Sequence, residues 1–191
     1  MIKLVIVDCQ VDFISGSMTV SGSKKAIRNI INYINKHHKE ISQIIFTLDW
    51  HPFNHCSFKE NGGQWATHCV KYTSGAGIDY SLLKTVADNN LRYKVFKKGV
   101  QPSLEEYGAF SKGFHYVSGG TFHAVQGIKF DPSDAVVVCG IAGDYCVKET
   151  INNLCTIGNI IPKVLLSGIA SIDDGSTIDK VIKNLKLNIV Q

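Results

Sequence analysis

Runs of apolar, mostly β-branched residues alternate along the chain with stretches in which apolar residues recur every three or four positions. The continuous runs are typical of strands buried on both faces, and the wider spacing is typical of amphipathic helices. The pattern predicts six strands, at residues 2–8, 41–49, 93–99, 135–142, 162–168 and 185–191. It predicts helices at 23–38, 144–157 and 176–184. We therefore expect an α/β fold of three layers (α/β/α), with helices on both faces of a six-stranded, mainly parallel sheet.

The length of the chain fits a single domain that covers residues 1–191. A hydrophobic content of 45% is enough for one substantial core, and no repeat, low-complexity tract or linker marks a domain boundary. The stretch 50–77 is long and irregular, and it contains three histidines and both tryptophans. Because loops of that length inside a compact domain are usually functional, we expect this stretch to contribute to a site.

Charge and cysteine usage limit the partners and the compartment. The net charge of +4 includes no basic run of the kind that binds nucleic acid, so we expect no nucleic-acid partner. No apolar stretch approaches the roughly 18 residues that cross a bilayer, and no charged leader marks a signal peptide. Six cysteines without a C-x-x-C pair favour a reducing compartment. These features predict a cytoplasmic protein that acts on a small molecule.

Reactive side chains stand at the carboxyl ends of the predicted strands, where open parallel sheets bind their ligands. Asp8 ends the first strand, Asp49 the second and Lys98 the third, and Cys146 follows the fourth. A carboxylate at position 8 must be paired or functional, because a lone buried charge is costly. We interpret Asp8 as a general base and Lys98 as its charge partner, the alternative for Lys98 being a solvated lysine.

Cys146 is the candidate nucleophile. A thiol in the first turn of a predicted helix feels the partial positive charge of unpaired backbone N–H groups, so we expect a lowered pKa. The glycine-containing turn before it lets the backbone approach a substrate, and the N–H groups of Ala142 and Cys146 could form an oxyanion hole. The alternative is a buried core cysteine, which is our interpretation of Cys9, Cys139 and Cys155.

A second candidate cluster lies in the stretch 49–68. Asp49 and His51 are two residues apart, hence on one side of an extended chain, and His68 ends the same loop. One carboxylate and two imidazoles suit a divalent metal ion, with zinc favoured over iron or manganese. His55 and Glu60 could be further ligands, supporting partners or solvated loop residues. We interpret four other histidines as surface or hydrogen-bonded residues, namely His37, His38, His115 and His123.

Six ordered motifs resemble the nicotinamidase branch of the isochorismatase-like cysteine hydrolases, whose fold is Rossmann-like. They are VDCQVDF (7–13), DWHPFNHCSF (49–58), WATHCVKYTSGAG (65–77), FKKG (96–99), EYGAF (106–110) and GIAGDYCV (140–147). The resemblance implies a catalytic triad of Asp8, Lys98 and Cys146, with a metal held by Asp49, His51 and His68 near the pyridine nitrogen of the substrate.

The resemblance also implies a reaction. The thiolate attacks the amide of nicotinamide, ammonia leaves, and water hydrolyses the thioester acyl-enzyme to nicotinate. It further implies a cis peptide at Ile141-Ala142 and a substrate pocket lined by Phe13, Trp65 and Tyr107. Such an enzyme would act in pyridine nucleotide biosynthesis and NAD salvage.

Three departures from the family pattern stand out. Gly143 replaces an expected hydroxyl residue, Ala66-Thr67 replaces a proline-containing approach to His68, and residues 112–130 are glycine-rich where a helix is expected. Acceptance of pyrazinamide-like rings and a homo-oligomeric state are left open.

Other classes of protein fit the sequence less well. A phosphatase is disfavoured because Asp8 and Asp12 lack D-x-D spacing, and because Asn152 stands where a cysteine phosphatase needs arginine. A metal-free relative that acts on isochorismate, on another small amide or on an N-carbamoyl compound would not need the metal cluster. A non-catalytic nicotinamide-binding protein would not need the triad.

Overall fold

The chain is described here by a computed structural model that covers residues 1–112, 114–117, 121–124 and 127–191. The side chains of residues 113–126 lie outside the description, and the expectations for His115 and His123 fall among them. Among the described residues, no helix combines the length and the apolar character needed to cross a membrane.

Eight strands and five helices make up the described structure. The strands are β1 (Ile2–Val7), β2 (Ile41–Asp49), β3 (Tyr93–Lys98), β4 (Phe114–Val117), β5 (Thr121–Ala124), β6 (Ile128–Phe130), β7 (Ala135–Ile141) and β8 (Lys163–Ala170). The helices are α1 (Val11–Ile14), α2 (Ser23–His37), α3 (Tyr80–Asp88), α4 (Lys148–Thr156) and α5 (Ser176–Asn184). A π-helical turn at Gly143–Val147 precedes α4.

Five parallel strands form the central sheet in the order β3-β2-β1-β7-β8. Alternate residues of β1 enter different cores: Leu4 and Ile6 pack in the cluster that contains α2 and α3, and Val5 and Val7 pack in the cluster that contains α4 and α5. The sheet is thus covered on both faces, which confirms the predicted three-layer α/β/α fold.

The sixth predicted strand, residues 185–191, pairs with the sheet through one parallel bridge between Val164 and Ile189. Val164 N–H donates to Asn188 O and Val190 N–H donates to Val164 O, both at 2.9 Å. Helix α5 continues to Asn184, and Lys186 then takes a left-handed conformation (φ 51°) that ends it. The pairing of this segment with β8 is therefore confined to the residues around Ile189.

Three further differences concern helices. The single-turn helix α1 was not predicted. Helix α3 was not predicted, although Asp79 caps it by accepting from Ser81 N–H and Leu82 N–H. The predicted helix at 144–157 is a π-helical turn followed by α4. In the glycine-rich stretch, β4, β5 and β6 form a small antiparallel sheet.

Candidate active site

The strand ends bring the predicted residues together. Asp8 follows β1 with φ 46°, a left-handed conformation that turns the chain out of the sheet. Asp49 and Lys98 end β2 and β3 and are paired in register. Gly140 allows β7 to approach β1 closely, since a Cβ there would lie 2.1 Å from Val7 O. Cys146 follows in the π-helical turn, at the same edge of the sheet.

Lys98 contacts three of these side chains at once. Its Nζ lies 2.7 Å from Asp8 Oδ2, 2.5 Å from Asp49 Oδ1 and 3.5 Å from Cys146 Sγ. Asp8 Oδ1 accepts a further hydrogen bond of 2.6 Å from Thr47 Oγ1. No more than 6% of any of these five residues is exposed, so the charges interact with little screening by water.

Burial and mutual contact set the charge states. Burial alone would lower the pKa of Lys98, but Asp49 and Asp8 outweigh burial and raise that pKa well above its ordinary value. Burial raises the pKa of Asp8, against the opposing effect of Lys98. Burial acts to raise the pKa of Asp49, but Lys98, His51 and His68 together outweigh burial, and this pKa lies below its ordinary range. The site therefore holds a stable ammonium and at least one stable carboxylate.

The predicted lowering of the Cys146 pKa is wrong. Burial raises the pKa of this thiol well above its ordinary value, and Asp8 and Asp49 add to the effect of burial while Lys98 opposes it. Helix α4 begins only at Lys148, so the sulfur is not in the first turn of an α-helix. The resting thiol is neutral. A carboxylate oxygen of Asp8 within 4.8 Å of the sulfur can take up its proton.

The turn that carries Cys146 packs against the segment that follows β8. The Ile141-Ala142 peptide is cis. Asp144 accepts hydrogen bonds from Ile172 N–H (2.9 Å) and Asp173 N–H (3.0 Å) in the segment after β8. A Cβ at Gly143 would lie 2.3 Å from Ser171 Oγ, so the glycine makes room for the serine. A residue with a side chain at position 143 would require Ser171 to move.

Asp49, His51 and His68 place their potential ligand atoms within 4.8 Å of one another. The Nε2 atoms of His51 and His68 lie 3.6 and 3.9 Å from Asp49 Oδ2. The opposite ring nitrogens are bound to backbone carbonyls, His51 Nδ1 to Gly99 O (2.9 Å) and His68 Nδ1 to Ala66 O (2.7 Å). Such bonds direct the free Nε2 of a ligating histidine toward its metal.

This donor set fits a divalent cation. Two imidazole nitrogens and a carboxylate oxygen suit zinc, iron or manganese and leave coordination positions open. Burial lowers the pKa of His68, which favours the neutral ring that a metal needs. For His51 burial also acts to lower the pKa, but Asp49 outweighs burial and raises it. A Cβ at Gly99 would lie 2.3 Å from the His51 ring, so glycine is required beside this histidine.

The structure assigns His55 a supporting contact. Its Nδ1 lies 2.7 Å from Ser57 Oγ and its Nε2 lies 3.1 Å from Leu104 O, so both ring nitrogens have partners. Its ring stacks on that of His51 with centroids 4.0 Å apart. Glu60 is exposed and accepts a hydrogen bond from Thr67 Oγ1.

A cavity extends from the Cys146 thiol to the candidate metal ligands Asp49, His51 and His68, the group called the metal cluster below. Its lining includes Asp49, His68, Ala142 and Cys146. Three of its other lining residues were predicted, namely Phe13, Trp65 and Tyr107, and five were not, namely Met18, Val20, Glu105, Tyr145 and Ile172. Tyr145 stacks against Trp65 and Tyr107, at 5.0 and 5.3 Å between ring centroids. Of these five residues, Tyr145 alone carried a signal in the sequence, because it directly precedes the candidate nucleophile Cys146.

One side of the cavity is a hydrogen-bonded aromatic wall. Tyr107 Oη accepts from Trp65 Nε1 and from Gln64 Nε2, each at 3.0 Å. Phe13 lies on the His68 side, with ring centroids 5.3 Å apart. These aromatic faces, with the candidate metal ligands at one end and the sulfur at the other, supply the contacts that a small flat aromatic ligand would make.

The fold and this convergence define the class of protein, a hydrolase of the isochorismatase-like superfamily. No protein-family model matches the chain. The chain is 30% identical to the nicotinamidase of Saccharomyces cerevisiae, in a match that covers 96% of this chain and 94% of that protein. The chain belongs to the nicotinamidase family.

Solved structures agree with this assignment. A structure of the yeast nicotinamidase bound to the inhibitor nicotinaldehyde is similar with a TM-score of 0.78 at 27% identity, covering 100% of each chain. The pyrazinamidase of Pyrococcus horikoshii in complex with zinc is similar with a TM-score of 0.75 at 27% identity, covering 99% of this chain and 98% of that chain.

Proposed function

We propose that this protein hydrolyses nicotinamide to nicotinate and ammonia, with Cys146 as nucleophile and Asp8 and Lys98 as its catalytic partners. The observation that carries the proposal is the position of Lys98 Nζ, in contact with Asp8, Asp49 and Cys146. A single buried ammonium thus links a thiol and its base to the carboxylate of the metal cluster.

The first half-reaction forms a thioester. Asp8 takes the thiol proton as Cys146 Sγ attacks the amide carbon, and the N–H groups of Ala142 and Cys146 bind the oxygen that becomes negative. The carbon–nitrogen bond then breaks, and the proton held by Asp8 passes to the leaving nitrogen. Ammonia and a nicotinoyl thioester on Cys146 result.

The second half-reaction consumes one water. Asp8 accepts a proton from the water that attacks the thioester carbonyl, the carbon–sulfur bond breaks, and Asp8 returns that proton to the sulfur. The thiol of Cys146 is thus regained, and the carboxylic acid leaves as nicotinate after losing its proton to water. Lys98 stays protonated throughout, because its two carboxylate neighbours raise its pKa. Its charge therefore offsets the negative charge that builds up on the sulfur and on the substrate.

The proposed metal ligands are Asp49, His51 and His68, and the proposed ion is zinc, with iron or manganese as alternatives. When bound, the ion supplies a Lewis acid that can hold the ring nitrogen of the substrate. Phe13, Trp65 and Tyr107 are proposed to contact the ring. The six free cysteines support a cytoplasmic setting, where nicotinate would feed NAD salvage.

The proposal is tested by ammonia release from nicotinamide and by mass spectrometry of the acid-quenched reaction. Wild-type protein is expected to release ammonia and to carry a nicotinoyl group on Cys146. Cys146→Ala is expected to lose at least about a thousandfold in kcat. Cys56→Ala, which removes a half-buried cysteine outside the cavity, is the matched control and should keep full activity. Ammonia release by Cys146→Ala at the wild-type rate would contradict the proposal.

A further inference from the structure

Gln10 is a fully buried amide in the turn between β1 and α1. Neither the triad nor the metal cluster includes it. Its side chain nevertheless makes three hydrogen bonds, all to backbone atoms. Asp49 N–H donates to Gln10 Oε1 (2.9 Å), and Gln10 Nε2 donates to Asp49 O (2.8 Å) and to Ala76 O (3.0 Å).

The side chain of Gln10 makes the hydrogen bonds to Asp49 that a continuation of β1 would otherwise make. The ladder between β1 and β2 ends at the pair Val7 and Thr47, because the chain turns away at Asp8. The backbone of Asp49 therefore has no partner strand on that side, although it is buried. The two-point contact with the Gln10 amide supplies the donor and the acceptor that a neighbouring strand would have supplied.

Gln10 also ties Asp49 to the triad side of the site. Its own backbone N–H donates to Asp8 O at 2.8 Å. Gln10 therefore connects the backbones of Asp8 and Asp49, the two residues whose carboxylates contact Lys98. The third bond, to Ala76 O, anchors the end of the long loop that carries His51 and His68. One side chain therefore fixes Asp49 relative to both halves of the cavity.

We propose that Gln10 is a positioning residue for the metal cluster, which it serves by fixing the backbone of Asp49. The inference rests on the proposed metal role of Asp49. Loss of the Gln10 amide should weaken metal binding through Asp49, and it should leave the thiol side intact, because the Gln10 N–H bond to Asp8 O belongs to the backbone.

The test measures zinc affinity by competition with a chromophoric chelator, in purified full-length protein. Gln10→Met keeps the length of the side chain without its hydrogen bonds, and it is expected to bind Zn²⁺ about ten- to a hundredfold more weakly than wild type. Gln10→Asn keeps a buried amide that is one methylene too short for the three contacts. It should show the same loss, and it keeps the test decisive if Gln10→Met does not fold.

Two controls separate positioning from loss of stability. Gln43→Met changes a half-buried glutamine near the start of β2, and Ile44→Val trims a core residue of the same strand, so both should bind Zn²⁺ as wild type does. The rate of Cys146 alkylation in the zinc-free Gln10 variants should change much less than the zinc affinity, because Asp8 and Lys98 remain in contact with each other. Zinc affinities of the Gln10 variants equal to wild type would overturn the role of Gln10 alone. No zinc binding by wild type would overturn the proposed metal site as well.

Discussion

The two ends of the cavity are built differently. At the thiol end, Asp8, Lys98 and Cys146 come from the ends of β1 and β3 and from the turn after β7. At the metal end, Asp49 comes from β2, but His51 and His68 belong to the irregular stretch 50–77. Parallel sheet topology fixes the first group. Individual hydrogen bonds to backbone carbonyls orient the second.

This difference indicates at which end of the cavity the side chains are displaced more easily. Displacing a strand end requires breaking the sheet, whereas displacing a loop histidine requires breaking a few local hydrogen bonds and ring contacts. We therefore expect the metal end to fail first, and to fail without unfolding the protein. Lys98 is the exception, because it contacts a carboxylate of each end.

The largest effect is expected at that shared cation. Lys98→Met leaves two buried carboxylates facing each other, so the free energy of unfolding should fall by about 3–5 kcal/mol in urea denaturation. Activity should be lost with it. Lys97→Met is the control: this half-buried lysine of β3 places its ammonium over the Trp50 ring at 3.9 Å, and its removal should cost less than that of the buried Lys98. Equal falls in the free energy of unfolding of the two variants would show that the ion pairs of Lys98 with Asp8 and Asp49 do not stabilise the site.

The next effect separates the two ends directly. Removing the metal with a chelator should lower kcat/KM for nicotinamide by about a hundredfold, since the ring loses its anchor. The rate at which iodoacetamide alkylates Cys146 should fall less than hydrolysis does, because Asp8 and Lys98 stay in contact with each other beside the thiol. Re-addition of zinc, iron or manganese then shows which ion restores activity. A chelator that slows alkylation as much as hydrolysis would contradict the assignment of separate roles to the two ends.

A smaller effect concerns the base. Thr47 donates to Asp8 and so lowers the pKa of that carboxyl against the larger effect of burial, which raises it. Thr47→Val removes the donor, so the pKa of Asp8 should rise further and more of the carboxyl should be protonated at a given acid pH. The acid limb of the kcat/KM profile should therefore move to higher pH. A shift to lower pH would exclude Asp8 as the proton acceptor.

The smallest effect is expected at the aromatic wall. Tyr107→Phe removes the acceptor shared by Trp65 and Gln64 but keeps the ring. Gln64 is exposed and can bind water instead, so KM for nicotinamide should rise by only a few-fold, about 1 kcal/mol or less. Steady-state kinetics of the variant tests this expectation. A large fall in kcat would show that the hydroxyl takes part in the chemistry.

The fold could be predicted where burial on both faces gives a continuous apolar run. All five strands of the central sheet were found in this way. Residues 185–191 have the same composition, but the turn at Lys186 that shortens their pairing leaves no mark on the apolar pattern. Helix α3 was missed because its buried face includes the polar Thr85 between Leu82 and Val86, which weakens the apolar period, although the Asp79 cap was readable.

The candidate site could be predicted where topology determines it, at the strand ends. The pKa of Cys146 could not, because burial of the sulfur depends on how neighbouring segments close over it. Tyr145 and Glu105 meet in the cavity through tertiary packing alone. Gln10 lies within the motif at 7–13, but the sequence does not indicate its contacts, because its partners are backbone atoms of residues far along the chain.

The most direct measurement is the crystal structure of zinc-loaded Cys146→Ala protein with nicotinamide. The amide carbon is expected to face the side chain of residue 146 at near-attack distance, roughly 3–4 Å from the position that the sulfur occupies in the wild-type protein. The ring nitrogen is expected to face Asp49, His51 and His68. An amide group directed away from residue 146, with the ring seated between the aromatic walls, would contradict the assignment of Cys146 as the nucleophile.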